Sequence, residues 1–137
     1  MNLATLIAKR AEEGQPIRVG MIGAGKFGTM FLAQAERQRG IHIIGICDLN
    51  PEATRSNLAL ANWNLERYAA KSLDAAAKNG TTHVGDNWEA LVNHPAVEII
   101  IECTGNPMAA VTHILRAFDQ GKHVINATVE ADAFCGP

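Results

Sequence analysis

No stretch of this 137-residue sequence approaches the eighteen or so consecutive apolar residues that a helical bilayer span needs. The short apolar stretch Leu3 to Ala8 precedes Lys9 and Arg10 instead of following basic residues, the reverse of a secretory signal peptide. The expected location is therefore the cytoplasm, without a membrane partner. Positive charge is also scarce: 12 Lys and Arg stand against 14 Asp and Glu, for a net charge of -2, and no basic stripe forms along the chain. The electrostatic footprint of a nucleic-acid-binding protein is missing. The three cysteines, Cys47, Cys103 and Cys135, are odd in number and lack C-x-x-C spacing, which excludes a disulfide framework and a cysteine zinc site. They are expected to be reduced thiols, with Cys47 and Cys103 packed at the ends of apolar runs and no base to activate Cys135. The five histidines are scattered without H-x-x-x-H spacing, so no protein-only metal site is expected. Aromatic residues make up only 5%; Trp63 and Trp88 are expected as core or interface anchors.

What is present is an alternation of strands and helices. Residues 1–16 form a leading helix, with Leu3, Leu6, Ile7 and Arg10 at helical spacing and Gly14-Gln15-Pro16 as its stop. Ile17 to Ile22 is a compact apolar strand, Lys26 to Arg39 an amphipathic helix with Gly40 beyond its last turn, and Ile41 to Cys47 a second, β-branched strand. Asn50-Pro51 opens a third helix running to about Ala61, and the alanine-rich Leu65 to Lys78 reads as another. Thr81 to Val84 is a weak strand, and Asp86 caps a short helix carrying Trp88, Leu91 and Val92. Val97 to Cys103 is a fourth strand, with Glu98 and Glu102 at its ends where solvent or ligand reaches them. A helix from Met108 to Gln120 and a strand from Lys122 to Asn126 complete the series. Five strands joined by helices call for an α/β, Rossmann-type, doubly wound parallel sheet over residues 17–137, with helices on both faces.

Chemistry is concentrated in the turn Gly23-Ala24-Gly25-Lys26-Phe27-Gly28. A G-x-G-x-x-G run is weak evidence alone, but here it follows a buried strand and opens an amphipathic helix, the context in which it binds a dinucleotide pyrophosphate. Gly23 would permit the tight turn, Gly25 would let the main chain approach the phosphates, and Gly28 would let helix and strand pack closely. The helix N-terminus would supply unpaired N–H groups and partial positive charge. Asp48, twenty residues beyond Gly28 at the end of the second strand, is spaced to accept hydrogen bonds from a ribose, with Leu49 beside it. The plainer alternative makes Asp48 a turn or cap residue. A carboxylate there favours NAD over NADP, whereas Arg55, early in the next helix, would reach a 2′-phosphate or else lie solvated on the surface. Thr104, Gly105 and Asn106 follow the fourth strand and should flank the nicotinamide half, because ligands of open α/β sheets lie beyond the carboxyl ends of the strands. Asn126, Thr128, Val129 and Glu130 follow the fifth strand; Glu130 with Asp132 either binds substrate or a hard divalent cation, or forms a solvated acidic loop.

The segments I-R-V-G-M-I-G-A-G-K-F-G-T-M, G-I-C-D-L-N-P, E-C-T-G-N-P and G-K-H-V-I-N-A-T-V-E-A-D together resemble the cofactor domain of homoserine-dehydrogenase-like oxidoreductases. Within these, the chain is most similar to the group bearing a C-terminal SAF domain, which includes 1-deoxy-D-xylulose 5-phosphate reductoisomerase-like enzymes. The resemblance implies hydride transfer with NAD(P)H on a small-molecule substrate. For the reductoisomerase-like members it also implies a sugar phosphate and a divalent metal in the full-length enzyme. It carries the cofactor role to Gly23, Gly25, Gly28 and Asp48, and also to Thr104, Gly105 and Glu130. Homoserine dehydrogenases proper carry Asn-Lys after the fifth strand and the glucose-fructose oxidoreductase family Glu-Lys-Pro; this chain has Val129-Glu130-Ala131, so no catalytic lysine is carried over. The substrate domain of such enzymes follows the fifth strand, so this chain is expected to bind dinucleotide with little or no turnover and, at full length, to form a homo-oligomer. Two rival classes use similar loops: a non-catalytic NAD(H)-sensing or scaffolding module, and an S-adenosylmethionine-dependent methyltransferase.

Overall fold

The computed structural model describes residues 2–136. Its order is α1 (Leu3–Glu12), β1 (Ile17–Ile22), α2 (Lys26–Ala35), β2 (Ile41–Cys47), α3 (Pro51–Leu60), a 3-10 turn (Leu65–Tyr68), α4 (Leu73–Asn79) and β3 (His83–Gly85). There follow α5 (Trp88–Asn93), β4 (Ile99–Glu102), α6 (Pro107–Asp119), β5 (His123–Asn126) and α7 (Val129–Cys135). The sheet is parallel throughout with order β3-β2-β1-β4-β5. Chain order therefore reverses between β1 and β4, and a crevice opens beyond their carboxyl ends.

Each face of the sheet buries its own core, as strands covered on both sides require. On one face Val19, Met21 and Ile43 pack with Leu32 of α2, Leu58 of α3 and Trp63. The Trp63 indole is buried with its N–H donating to the Leu32 carbonyl at 3.0 Å. On the other face Ile22, Ile44 and Ile100 pack with Ala76 of α4, Leu91 and Val92 of α5, and Ala117 of α6. The leading helix α1 buries no side chain and is tied beneath the sheet by Arg10, whose guanidinium forks onto Glu98 at 2.8 and 3.0 Å. No helix among the described residues is long and apolar enough to cross a membrane.

Five local expectations are corrected. Helix α2 stops at Ala35 and not Arg39, because Glu36 to Arg39 offers no apolar side chain to bury and closes instead into turns, Arg37 N to Gln34 O and Gln38 N to Ala35 O. Gly40 is no cap to it: at φ +85° it turns the chain into β2 so close to α1 that a Cβ would strike the Ile7 carbonyl. The expected helix from Leu65 to Lys78 is broken, since Ala70 is drawn to the sheet edge in a parallel bridge with His83, whose Nδ1 bonds the Ala70 carbonyl at 2.8 Å. Helix α4 begins anew with Ser72, which caps it by accepting from Ala75 N at 3.1 Å. The cap of α5 is Asn87, accepting from Ala90 N at 2.9 Å, and not Asp86. Glu102 is the fifth: solvent does not reach it, and it is fully buried.

Candidate functional site

The chain leaves β1 through Gly23, at φ +95°, where a Cβ would stand 2.6 Å from the Cys103 carbonyl oxygen; no other residue fits that approach. At Gly28 a Cβ would stand 2.6 Å from Met21 Cε and 2.8 Å from the Gly23 carbonyl, so its bareness allows α2 to lie against β1. Gly25 differs from both, because a Cβ there would meet nothing within 4 Å. It is the N-cap of α2 and gives that helix no side-chain cap, whereas Asn50, Ser72, Asn87 and Asn106 cap α3, α4, α5 and α6 with side-chain oxygens. The first amides of α2 thus have no side-chain cap, open space adjoins Gly25, and the positive end of the helix dipole lies behind them.

Asp48, at the end of β2, is aimed across this turn. Its Oδ2 accepts from Ala24 N at 2.8 Å and its Oδ1 from Asn50 N at 2.9 Å, leaving further lone pairs on the same carboxylate. It belongs to the wall of a cleft of about 460 Å³ formed by Gly23, Gly25, Leu49, Asp86, Trp88, Thr104, Asn106 and His113, among others. That volume lies in the range of small-molecule and cofactor sites. Asn106 serves twice, lining the cleft and capping α6 by accepting from Ala109 N at 3.2 Å.

On the β4 side the cleft rests on a buried knot of polar side chains. The Glu102 carboxylate accepts from Thr104 N at 2.7 Å, Thr104 Oγ1 at 2.6 Å, Thr128 Oγ1 at 3.0 Å and His113 Nδ1 at 2.5 Å. An ionised carboxylate only accepts, so Nδ1 of His113 carries the proton. The His113 ring packs on Trp88 with centroids 4.5 Å apart. Burial pushes the Glu102 carboxyl up, but the hydrogen bonds from His113 and Thr104 outweigh it and hold the group below its ordinary value of 4.5. Thr128 also accepts from Gly105 N at 3.1 Å, so one carboxylate joins the turns after β4 and β5 to α6. Beside it, the side-chain N–H₂ of Asn126 is buried without a partner among the described residues. Burial raises the thiols of Cys47 and Cys103, which both line the cleft, to about 12, so neither is a nucleophile at neutral pH.

Of the residues singled out from the sequence, Gly23, Gly25, Asp48, Leu49, Thr104 and Asn106 meet in this cleft. Ala24 lies buried below it, Gly28 packs α2 on β1, and Gly105 joins the Thr128 network. Lys26 lines the neighbouring groove between α2 and α3, and Phe27 is exposed. Arg55 does not reach the cleft; its guanidinium bonds the Val84 carbonyl at 2.9 Å and pairs with Glu52. Glu130 and Asp132 sit on the exposed side of α7, away from the cleft, and no cluster of three or more potential metal ligands occurs among the described residues. The sequence reading missed Asp86, Trp88, Glu102 and His113. Asp86 was read only as the cap of the following helix, and the Glu102–His113 contact joins two elements whose spacing carries no motif.

A doubly wound parallel sheet with a glycine turn at its switch point and an acidic residue closing β2 defines the class of Rossmann-type nucleotide-binding domains. Residues 17–126 match the Gfo/Idh/MocA oxidoreductase family, NAD-binding Rossmann fold, and the chain belongs to that family. It is 29% identical over 115 residues to homoserine dehydrogenase from Methylobacillus glycogenes, a match covering 82% of this chain and 25% of that protein. Among solved structures, a homoserine dehydrogenase from Thiobacillus denitrificans superposes with a TM-score of 0.65 at 22% identity, covering 88% of this chain and 25% of that one. Myo-inositol dehydrogenase from Lactobacillus casei, solved with NAD(H) and myo-inositol, gives a TM-score of 0.55 at 18% identity over 81% of this chain and 28% of that one. The chain thus spans about a quarter of the length of these relatives.

Proposed function

We propose that this chain holds the coenzyme of a nicotinamide-dependent dehydrogenase, with the pyrophosphate against the bare N-terminus of α2 and a ribose against Asp48. The observation that carries the reading is Gly25: open space over uncapped amides, beside a carboxylate already fixed by two main-chain N–H groups. Thr104 and Asn106 would border the nicotinamide end. NAD suits the cleft better than NADP, since Asp48 would meet a 2′-phosphate with like charge and Arg55 is occupied elsewhere. When bound, the nicotinamide supplies hydride transfer; the residues described here hold and orient it. The substrate would be a small alcohol or carbonyl compound of the kind homoserine dehydrogenases use, bound by a part of the protein outside these residues.

Titration of NADH fluorescence tests this with two glycine variants. Gly25→Ala adds a methyl group that touches no protein atom, so its melting temperature should stay near wild type while NADH affinity falls about tenfold or more, roughly 1.4 kcal/mol. Gly23→Ala places a methyl on the Cys103 carbonyl at positive φ and should instead cost fold stability. Wild-type protein that binds neither coenzyme, or a Gly25→Ala variant that binds NADH as wild type does, would refute the placement.

A further inference from the structure

Asp86 is the one charged residue of the cleft wall, apart from Asp48 and the buried Glu102–His113 neighbourhood, for which the fold provides no task. The helix that follows takes its cap from Asn87, and the Asp86 carboxylate makes no hydrogen bond or ion pair among the described residues. Its position is nonetheless set by the sheet. Cys47 and Gly85 are register partners on adjacent parallel strands, and Asp48 N donates to the Gly85 carbonyl at 3.0 Å. Asp48 and Asp86 therefore leave β2 and β3 at the same level, on strands about 5 Å apart, and both line the cleft. No lysine or arginine lines it with them.

We infer that Asp86 is a second specificity determinant, which together with Asp48 forms an acidic gate against coenzymes phosphorylated on the ribose. This rests on the placement proposed above. Asp48 has an attractive task as well as a repulsive one, since its lone pairs suit ribose hydroxyls. Asp86 is not tied to the glycine turn, and its contribution is repulsion of a phosphate carrying about −1.5 to −2 charges. Removing Asp48 alone leaves this second carboxylate in place, so the preference for NAD should survive that change.

The test is a set of NADH and NADPH dissociation constants, measured by fluorescence titration on the whole chain for wild type, Asp48→Asn, Asp86→Asn and the double variant. Asp86→Asn breaks no contact, so its melting temperature should match wild type. NADPH binding should tighten about fivefold in it while NADH stays within twofold. The double variant should bind NADPH at least as tightly as NADH, and Asp48→Asn alone should not. Raising salt should narrow the wild-type gap between the coenzymes more than the Asp86→Asn gap, because exposed charges are screened. An Asp86→Asn variant that shifts both coenzymes alike, or neither, overturns the assignment. Wild-type protein that fails to bind NADH overturns the site reading beneath it instead, and is told apart by that fact.

Discussion

Replacing Glu102 tests how the β4 side of the cleft is built. The carboxylate has no exposure and accepts four hydrogen bonds, from Thr104 N, Thr104 Oγ1, Thr128 Oγ1 and His113 Nδ1. Glu102→Ala would strand these donors in a site where Thr128 is 1% and His113 7% exposed. Breaking a buried pair on one side costs about 3–5 kcal/mol. For a domain of this size, about 4 kcal/mol corresponds to a melting temperature lowered by roughly 15 °C. Glu102→Gln keeps an acceptor for the two threonines but loses the charge-assisted bond to His113, for a cost of about 1.5–3 kcal/mol. The pH dependence has a definite sign. The folded-state pKa lies below the ordinary 4.5, so the stabilisation is complete above that value and is lost as pH falls through the lower folded value. Urea unfolding should therefore show a gap between wild type and Glu102→Gln that is constant from about pH 7 to 5 and closes on further acidification. A Glu102→Ala melting temperature within a few degrees of wild type, or a gap as wide in acid as at neutrality, would refute the argument.

Two further outcomes follow from other parts of the fold. Cys47 and Cys103 are raised to about 12 by burial while Cys135 is exposed, so iodoacetamide near neutral pH should label one thiol per folded chain, at Cys135, and all three in urea; intact mass and peptide mapping read the result. Arg10→Ala should release α1, which buries no side chain, and hydrogen exchange should show amides of Leu3–Glu12 losing protection while the melting temperature falls by less than about 3 °C; protection that persists would mean the Arg10–Glu98 fork does not hold the helix.

Where structure is set by local backbone chemistry, the sequence was legible. The spans Ile17–Ile22 and Ile41–Cys47 coincide with β1 and β2, because apolar runs bounded by glycine or proline turns have few other arrangements. The glycine turn, Asn50 as cap and Pro51 as first helical residue were likewise readable. Reading failed where a distant contact overruled local preference. The alanine-rich Leu65–Lys78 segment favours helix throughout, yet the bridge between Ala70 and His83 divides it. Asp86 and Asn87 are both good caps, and only the geometry of the β3–α5 turn decides between them. Glu102 looked like a strand-end carboxylate open to solvent or ligand, because nothing in its neighbourhood announces that His113 and Thr128 will close over it.

The same division separates the two sides of the cleft in their response to mutation. On the β1–β2 side the cleft wall includes bare main chain at Gly25, where a side chain would touch nothing else in the fold, so substitution there should alter binding while folding is kept; the half-exposed Asp48 also ties Ala24 and Asn50 through their main-chain N–H groups. On the β4 side the turns carrying Thr104 and Thr128 are fixed by a single buried carboxylate, and substitution there should lower stability before any change in binding is measurable. A buried charge is a costly way to fix two turns, since a well-packed apolar group often serves stability as well. What the carboxylate provides and an apolar group does not is direction: Oε1 holds Thr104 through its N–H and hydroxyl and Thr128 through its hydroxyl, while Oε2 orients the His113 ring beside Trp88 at the cleft wall.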